Sequence, residues 1–275
     1  MRQNRFGSRL RWWRRHRGLS QLDFAGMAGT TQRHVSFLES GRAQPSREMV
    51  LRLATALDVP LRQQNALLLA AGFAPVWRER DLTEPELAMV NHALDYMLEQ
   101  QEPFPAIVVD RRWNLLRANA GAGRLTTFLT GLSPNPVSTA PVNIAEWMMS
   151  PELRPVLVNW QEVAMQLLRS VQTDAMTDGT QETADLLQRL LTYPGVPDLS
   201  QMPVLEEPPP PVLAMHFRKG QTTLRLFTTI ATLGTPQDVT VQELRIECFF
   251  PADEATSQIF KDWASHPPCG PGLAG

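Results

Sequence analysis

Over its first 72 residues the chain starts and stops a helical pattern five times, and glycine or proline marks most of the stops. Phe6, Leu10 and Trp13 recur at spacings of four and three, which is one face of a helix over residues 6–16. Gly18 ends it. Ser20 is a good N-cap, because its hydroxyl can accept a bond from an orphan N–H of the next turn, and Asp23 follows three residues later. The second helix is expected to turn Leu22, Ala25 and Ala28 inward and to end at Gly29. Thr31 caps a third helix with Val35 and Leu38 inward and Gly41 at its end. Pro45 and Ser46 open a fourth, with Val50, Leu53, Ala54 and Leu57 inward, and Pro60 stops it. A fifth runs over 61–71 and closes at Gly72. Helices this short are marginal alone. Joined by tight turns, they read as a compact all-α module.

Charge separates this module from the rest. Residues 1–80 hold 14 Arg and no Lys against five acidic residues, a balance of +9, which leaves 12 basic and 23 acidic residues elsewhere. Seven of those Arg lie within the first 17 residues. A basic module joined to an acidic one is expected when only the first meets a polyanion. No run of about 18 apolar residues exists, so no transmembrane helix is expected. The basic N-terminus lacks the apolar stretch of a secretory signal. Cys248 and Cys269 alone make neither a disulfide framework nor a zinc site, and two unpaired thiols suit a reducing cytoplasm.

The stretch Pro75–Pro85 reads as a polar linker, and helical pattern returns over 84–100. The texture then changes. Residues 104–110 are a β-branched run, Arg111-Arg112 a turn, and 113–117 a second strand. Residues 118–129 look helical, 133–141 form a loop, and long helical patterns cover 151–172 and 180–192. Prolines make 193–211 an extended connector. Strands are expected at 212–218, 222–233 and 239–250; Leu224, Leu226, Thr228 and Ile230 alternate in one, and Leu244, Ile246, Cys248 and Phe250 in the next. The expected domains are 1–74, a linker and connecting helix at 75–100, a second domain at 101–255, and a partly disordered tail at 256–275.

The segment from Gly18 to Gly41 resembles the helix-turn-helix domains of the Cro/phage-repressor (XRE) family, with matches at Leu10, Arg14, Leu19, Gln21, Ala25, Gly29, Val35, Ser36, Glu39, Gly41, Pro45, Ser46, Leu53 and Leu57. A helix fits the DNA major groove and its N-terminal residues reach base edges. The base readers are then Gln32, Arg33, His34, Ser36 and Phe37; Gln suits adenine and Arg suits guanine. Phe37 departs from the family's polar preference, and either touches a thymine methyl or packs at the surface. The resemblance implies phosphate contacts at Gln21, Thr31, Ser40 and Arg42, and an ion pair of Arg14 with Glu39 joining helix one to helix three. Trp13 reads as core.

Two strands, a helical region and three more strands follow a PAS-like order. Residues 105–119, Asn143-Ile-Ala-Glu-Trp-Met and 151–164 resemble the ligand-binding domain of MmyB-like regulators. The implied fold class is an all-α helix-turn-helix domain followed by an α+β PAS-like domain with a five-stranded antiparallel sheet. The resemblance also implies a fatty-acid-like ligand, which needs an apolar cavity and a donor for its carboxylate. Candidate donors are Arg117, Asn119, Asn159, Trp160, His216 and Arg225. Four also have a structural reading: Asn119 as a helix cap, Trp160 as core, Arg225 facing solvent or paired with an acid such as Glu243 or Glu247, and His216 as a satisfied sheet histidine.

GxSxG, HExxH and GxxxxGK[ST] are absent and the five His are scattered, so an enzyme is not expected. No cofactor or metal is expected beyond a bound fatty acid or similar apolar molecule. The expected partners are double-stranded DNA and a second copy of the chain, with no membrane. The rival reading is a DNA-binding regulator whose second domain serves only dimerisation or protein interaction and holds no ligand.

Overall fold

The computed structural model describes residues 5–131, 142–196, 212 and 214–266. The loop expected at 133–141, most of the connector at 193–211 and the tail beyond His266 lie outside the described residues. The chain divides into two compact units, residues 1–81 with 235–242, and 82–234 with 243–275.

The N-terminal unit is built on five helices: α1 (Arg5–His16), α2 (Gln21–Met27), α3 (Gln32–Ser40), α4 (Arg47–Ala56) and α5 (Leu61–Ala70). The cap chemistry is as expected. Ser20, Thr31 and Ser46 accept bonds from the backbone N–H of Asp23, His34 and Met49. Gly41 ends α3 in the left-handed region (φ 77°), which glycine enters without a Cβ penalty. Phe6, Leu10, Trp13, Val35, Leu38, Leu53 and Leu68 close the core. In α2 the expected face is corrected: Leu22 is exposed, and Phe24 is fully buried beside Ala25 and Ala28. A two-turn helix can rotate to bury one large ring, and the ring removes more apolar area from water than the leucine would.

The stretch expected as a linker is tied to α5. Asn65 accepts bonds from the N–H groups of Val76 and Trp77 and donates to the Trp77 carbonyl, while the Trp77 indole donates to Gln64. Residues 235–242 belong to this unit as well. Arg80 pairs with Asp238 at 2.8 Å, Val239 N–H bonds to the Arg78 carbonyl, and Thr240 Oγ1 bonds to the Arg80 carbonyl. Pro60 gives α5 no side-chain cap, and the Gln242 side chain supplies it, accepting from Leu61 N–H at 2.7 Å.

The second unit carries a five-stranded antiparallel sheet in the order β2-β1-β5-β4-β3: β1 (Ala106–Val109), β2 (Leu115–Ala118), β3 (Ala214–Lys219), β4 (Thr222–Ala231) and β5 (Arg245–Pro251). Its helices are α6 (Ala88–Gln100), α7 (Ala120–Thr130), α8 (Ile144–Met149), α9 (Trp160–Asp178), α10 (Gln181–Leu191) and α12 (Glu254–Ser265); the short α11 (Val239–Glu243) lies between β4 and β5. Strand alternation gives the sheet two different faces. On one, Ala106, Val108, Leu244 and Ile246 pack with Leu94 and Leu98 of α6. On the other, Met215, Phe217, Leu224 and Leu226 pack with Leu167, Leu168 and Val171 of α9 and Phe260 of α12.

Three expected elements are corrected. Residues 151–159 are not helical throughout: Pro155 sits in a short 3₁₀ turn, Leu157 bridges to Phe217, and α9 begins at Trp160. The β-branched run 239–241 is helical, because Asp238 accepts from Thr240 N–H through its side chain and from Gln242 N–H through its carbonyl; the local cap overrides β propensity. Residues 254–265, assigned largely to the tail, form α12. Asp253 caps it through Thr256 N–H, and Phe260 is fully buried.

Candidate functional site

Two regions carry candidate function, one in each unit. In the first, α2 and α3 form the helix-turn-helix. Thr31 to Arg33 at the start of α3 are exposed, and His34, Ser36 and Phe37 are half-buried. The Arg33 guanidinium stands 5.2 Å from the Phe37 ring centre and that of Arg42 stands 5.9 Å from it. Phe37 therefore serves as a platform for two cations, since a ring face attracts a guanidinium. Among the residues carried over as phosphate contacts, Thr31 Oγ1 caps α3, Ser40 donates to the Phe37 carbonyl, and Gln21 donates to Glu39 at 2.9 Å. Arg42 is exposed.

Glu39 holds this region together. Arg14 donates to it twice, from Nε at 2.6 Å and Nη2 at 3.1 Å, and Arg11 Nε adds a bond at 3.3 Å. The carboxylate is only 3% exposed and is covered by these side chains more than by depth. Burial pushes its pKa up, and the bonds from Arg14 and Gln21, with the Arg14 charge and the Arg11 bond, bring it below the ordinary value of 4.5. The group therefore joins α1, α2 and α3 through one charge.

The second region is a cavity of about 600 Å3 between the sheet and the helices of the C-terminal unit. Its walls are mainly apolar: Ile107 of β1, Leu125 and Leu129 of α7, Trp147 and Met148 of α8, Val163 and Leu167 of α9, Met215 and Phe217 of β3, and Phe249 of β5. Its polar side chains among the described residues are few: Thr126, Gln166, Ser170, Thr228 and Glu247, beside the indoles of Trp113 and Trp147, of which the Trp113 N–H is buried without a hydrogen-bond partner. A hollow of this size, apolar with a few convergent polar groups, suits a small organic molecule.

The six expected donors are placed elsewhere and none is among the residues described as lining the cavity. Arg117 bonds to Asn91 and Asp95. Asn119 caps α7 through Ala122 N–H and also bonds to Ala106 N–H and the Phe104 carbonyl. Asn159 pins β3 by accepting from His216 N–H and donating to the Ala214 carbonyl. Trp160 is buried, with its indole donating to the Met148 carbonyl. His216 sits in β3 and Arg225 pairs with Asp253. All of these but His216 have a local side-chain partner, and the cavity is left to other residues. The available signals were Gln166 and Ser170, polar at helical spacing within α9, and Glu247, an acid between Ile246 and Cys248 on the opposite strand face.

A basic helix-turn-helix on one unit and a hollow sheet domain on the other make this a DNA-binding regulator with a ligand-binding domain. The family model described as MmyB-like transcription regulator ligand binding domain matches residues 90–262, and the one described as Helix-turn-helix matches residues 10–64. The first covers more than half of the chain, and the chain belongs to the MmyB-like transcription regulators. A comparison with curated proteins returned no match. Among the described residues, no helix is long and apolar enough to cross a membrane, and no cluster of His, Cys, Asp or Glu is placed to hold a metal.

Proposed function

We propose that this regulator binds DNA as a cytoplasmic homodimer, reads bases through Gln32, Arg33, His34, Ser36 and Phe37, and changes its DNA affinity when a long-chain, fatty-acid-like molecule enters the cavity of the second unit. Gln21, Thr31, Ser40 and Arg42 are the proposed phosphate contacts. Gln21 and Ser40 reach phosphate only by giving up the bonds described above.

One observation carries the regulatory part. The cavity is lined by Thr228 and Ile230 of β4 and by Glu247 and Phe249 of β5. The chain between these two strands, residues 235–242, belongs to the N-terminal unit. A ligand that spreads or tightens β4 against β5 acts on both covalent ends of a segment that caps α5. A ligand shifts such an equilibrium only by its differential affinity for the two states. The β4–β5 connection is a more direct route than the connecting helix at 84–100.

The test is DNA binding by fluorescence anisotropy with and without saturating long-chain ligand, in the parent and in Gln242→Ala. The expected outcome is a ligand-dependent change of about tenfold in DNA affinity, within the usual coupling range, that shrinks in the variant. Unchanged DNA affinity at demonstrated ligand saturation would leave the second domain a dimerisation or interaction module.

A further inference from the structure

Glu247 occupies an odd place for an acid. It lies in β5 with Ile107 of β1 on one side and Ile230 of β4 on the other, in register across the sheet. Thr228, one row along on β4, bonds to its carboxyl. It retains partial exposure because it lines the cavity, yet it sits deep within the fold. Among the described residues that line the cavity it alone is ionisable, and no Arg, Lys or His accompanies it.

Four cations around the sheet are engaged elsewhere, Lys219 of β3 by the Phe128 and Leu129 carbonyls and three arginines by acids. Arg245, two residues away on the same strand face, forms a double bond pair with Asp174 of α9 at 2.5 and 2.6 Å. Arg111 pairs with Asp178 of α9 and with Glu243. Asp110, at the end of β1, is bonded to Asn114 and also bears on Arg245. Arg225 of β4 pairs with Asp253. From α9 the groups facing the cavity are the uncharged Gln166 and Ser170, and from α7 Thr126.

We infer that the cavity receives a long apolar molecule through an uncharged oxygen head (an alcohol, ester, amide or undissociated acid), that Glu247 binds this head, and that the cavity gives a carboxylate anion no counter-charge. The inference rests on the ligand-binding reading above and narrows its ligand class. Among the described residues that line the cavity a carboxylate finds no cation to offset the cost of its desolvation. Burial pushes the Glu247 carboxyl up, and neither the Thr228 bond nor the Arg245 charge reverses this. The neutral carboxyl donates one O–H to a ligand oxygen and can still accept from Thr228. An ammonium head would have to desolvate two charges for a pairing that about breaks even in a low-dielectric site, so the neutral head is the better fit.

The experiment uses the full-length protein and four probes with the same chain: lauryl alcohol, methyl laurate, laurate and laurylamine, each titrated by calorimetry or displacement of a fluorescent lipid. Near pH 8, lauryl alcohol and methyl laurate are expected to bind about tenfold or more tightly than laurate, and the gap should narrow toward pH 5, where more of the acid is undissociated. Glu247→Gln keeps a neutral donor of similar shape. It should hold lauryl alcohol, methyl laurate and laurate each within about threefold of the parent, whereas Glu247→Leu, which removes the donor, should weaken lauryl alcohol and methyl laurate by about tenfold. Laurate equal to or tighter than lauryl alcohol near pH 8 overturns the head-group inference alone. Laurylamine binding tightest, with loss in Glu247→Gln, overturns it in favour of a cation site. Binding by none of the four, with the fold intact by circular dichroism, overturns the ligand-binding reading and this inference together.

Discussion

Replacing Glu39 by Gln keeps shape and one acceptor oxygen but removes the charge that joins α1, α2 and α3. Arg14, 8% exposed, would retain its 2.7 Å bond to the Leu19 carbonyl and lose its counter-charge. Removing one partner of a buried ion pair costs about 3–5 kcal/mol, because the other charge stays buried and uncompensated. Gln restores one of the two Arg14 bonds, and the Arg11 contact is discounted to a few tenths of a kcal/mol because that side chain is 43% exposed. The expected loss is therefore at the lower end, about 3 kcal/mol. Hydrogen exchange of the α1 and α3 amides reads it directly: a protection loss of about a hundredfold.

The acid dependence has a definite sign. The Glu39 pKa lies below its ordinary value of 4.5 in the folded chain, so its stabilisation is complete above that value and is lost as pH falls from it toward the folded pKa. The parent should lose α1 and α3 protection over this window, and Glu39→Gln should lack that component. Arg14→Met with Glu39→Leu removes both charges and should recover much of the loss, since a buried pair is often no better than apolar residues of similar volume. A single variant within about 0.5 kcal/mol of the parent, the range of ordinary surface changes, would refute the reasoning.

Arg33→Ala is expected to cost about 1–3 kcal/mol on the cognate site and little on random DNA, as measured by competition; equal loss on both would assign Arg33 to the backbone. Arg42→Ala should weaken both kinds of site alike and reduce the slope of log affinity against log salt by about one. Phe260→Ala should destabilise the second unit by about 3–5 kcal/mol, read from chemical denaturation followed by Trp263 fluorescence; a change under about 1 kcal/mol would return α12 to the status of a dispensable tail.

What the sequence made legible is what short-range chemistry decides. Ser20, Thr31 and Ser46 announce helix starts because a cap is satisfied within three residues, and Gly41 announces a stop because few side chains tolerate its φ. Alternation likewise marked β4 and most of β5 as strands. The residues that line the cavity were not legible. A search for donors by residue type finds Asn119, Asn159 and Arg117, and each of these has a backbone or acidic partner that only the fold reveals. Alternation in β5 marks Leu244, Ile246, Cys248 and Phe250 as one face, but it does not say which face meets a solid layer and which a hollow one. The capping of α5 by Gln242 spans 181 residues and has no local signature at all.

The two faces of the sheet explain why ligand and stability belong to one argument. The α6 face is closed by leucines, while the other face carries a hollow of about 600 Å3. At about 24 cal/mol per Å3, the cost measured for small engineered cavities, a dry void of that size would cost on the order of 14 kcal/mol, as much as a whole domain's net stability. The hollow is therefore either watered or filled. Water finds few partners against walls of Ile107, Leu125, Val163 and Phe249, whereas an apolar chain gains from the same walls. A molecule that enters raises the stability of the filled state in proportion to the logarithm of its concentration over its Kd. On the proposed reading, that added stability would bear on β4 and β5, whose connecting segment caps α5.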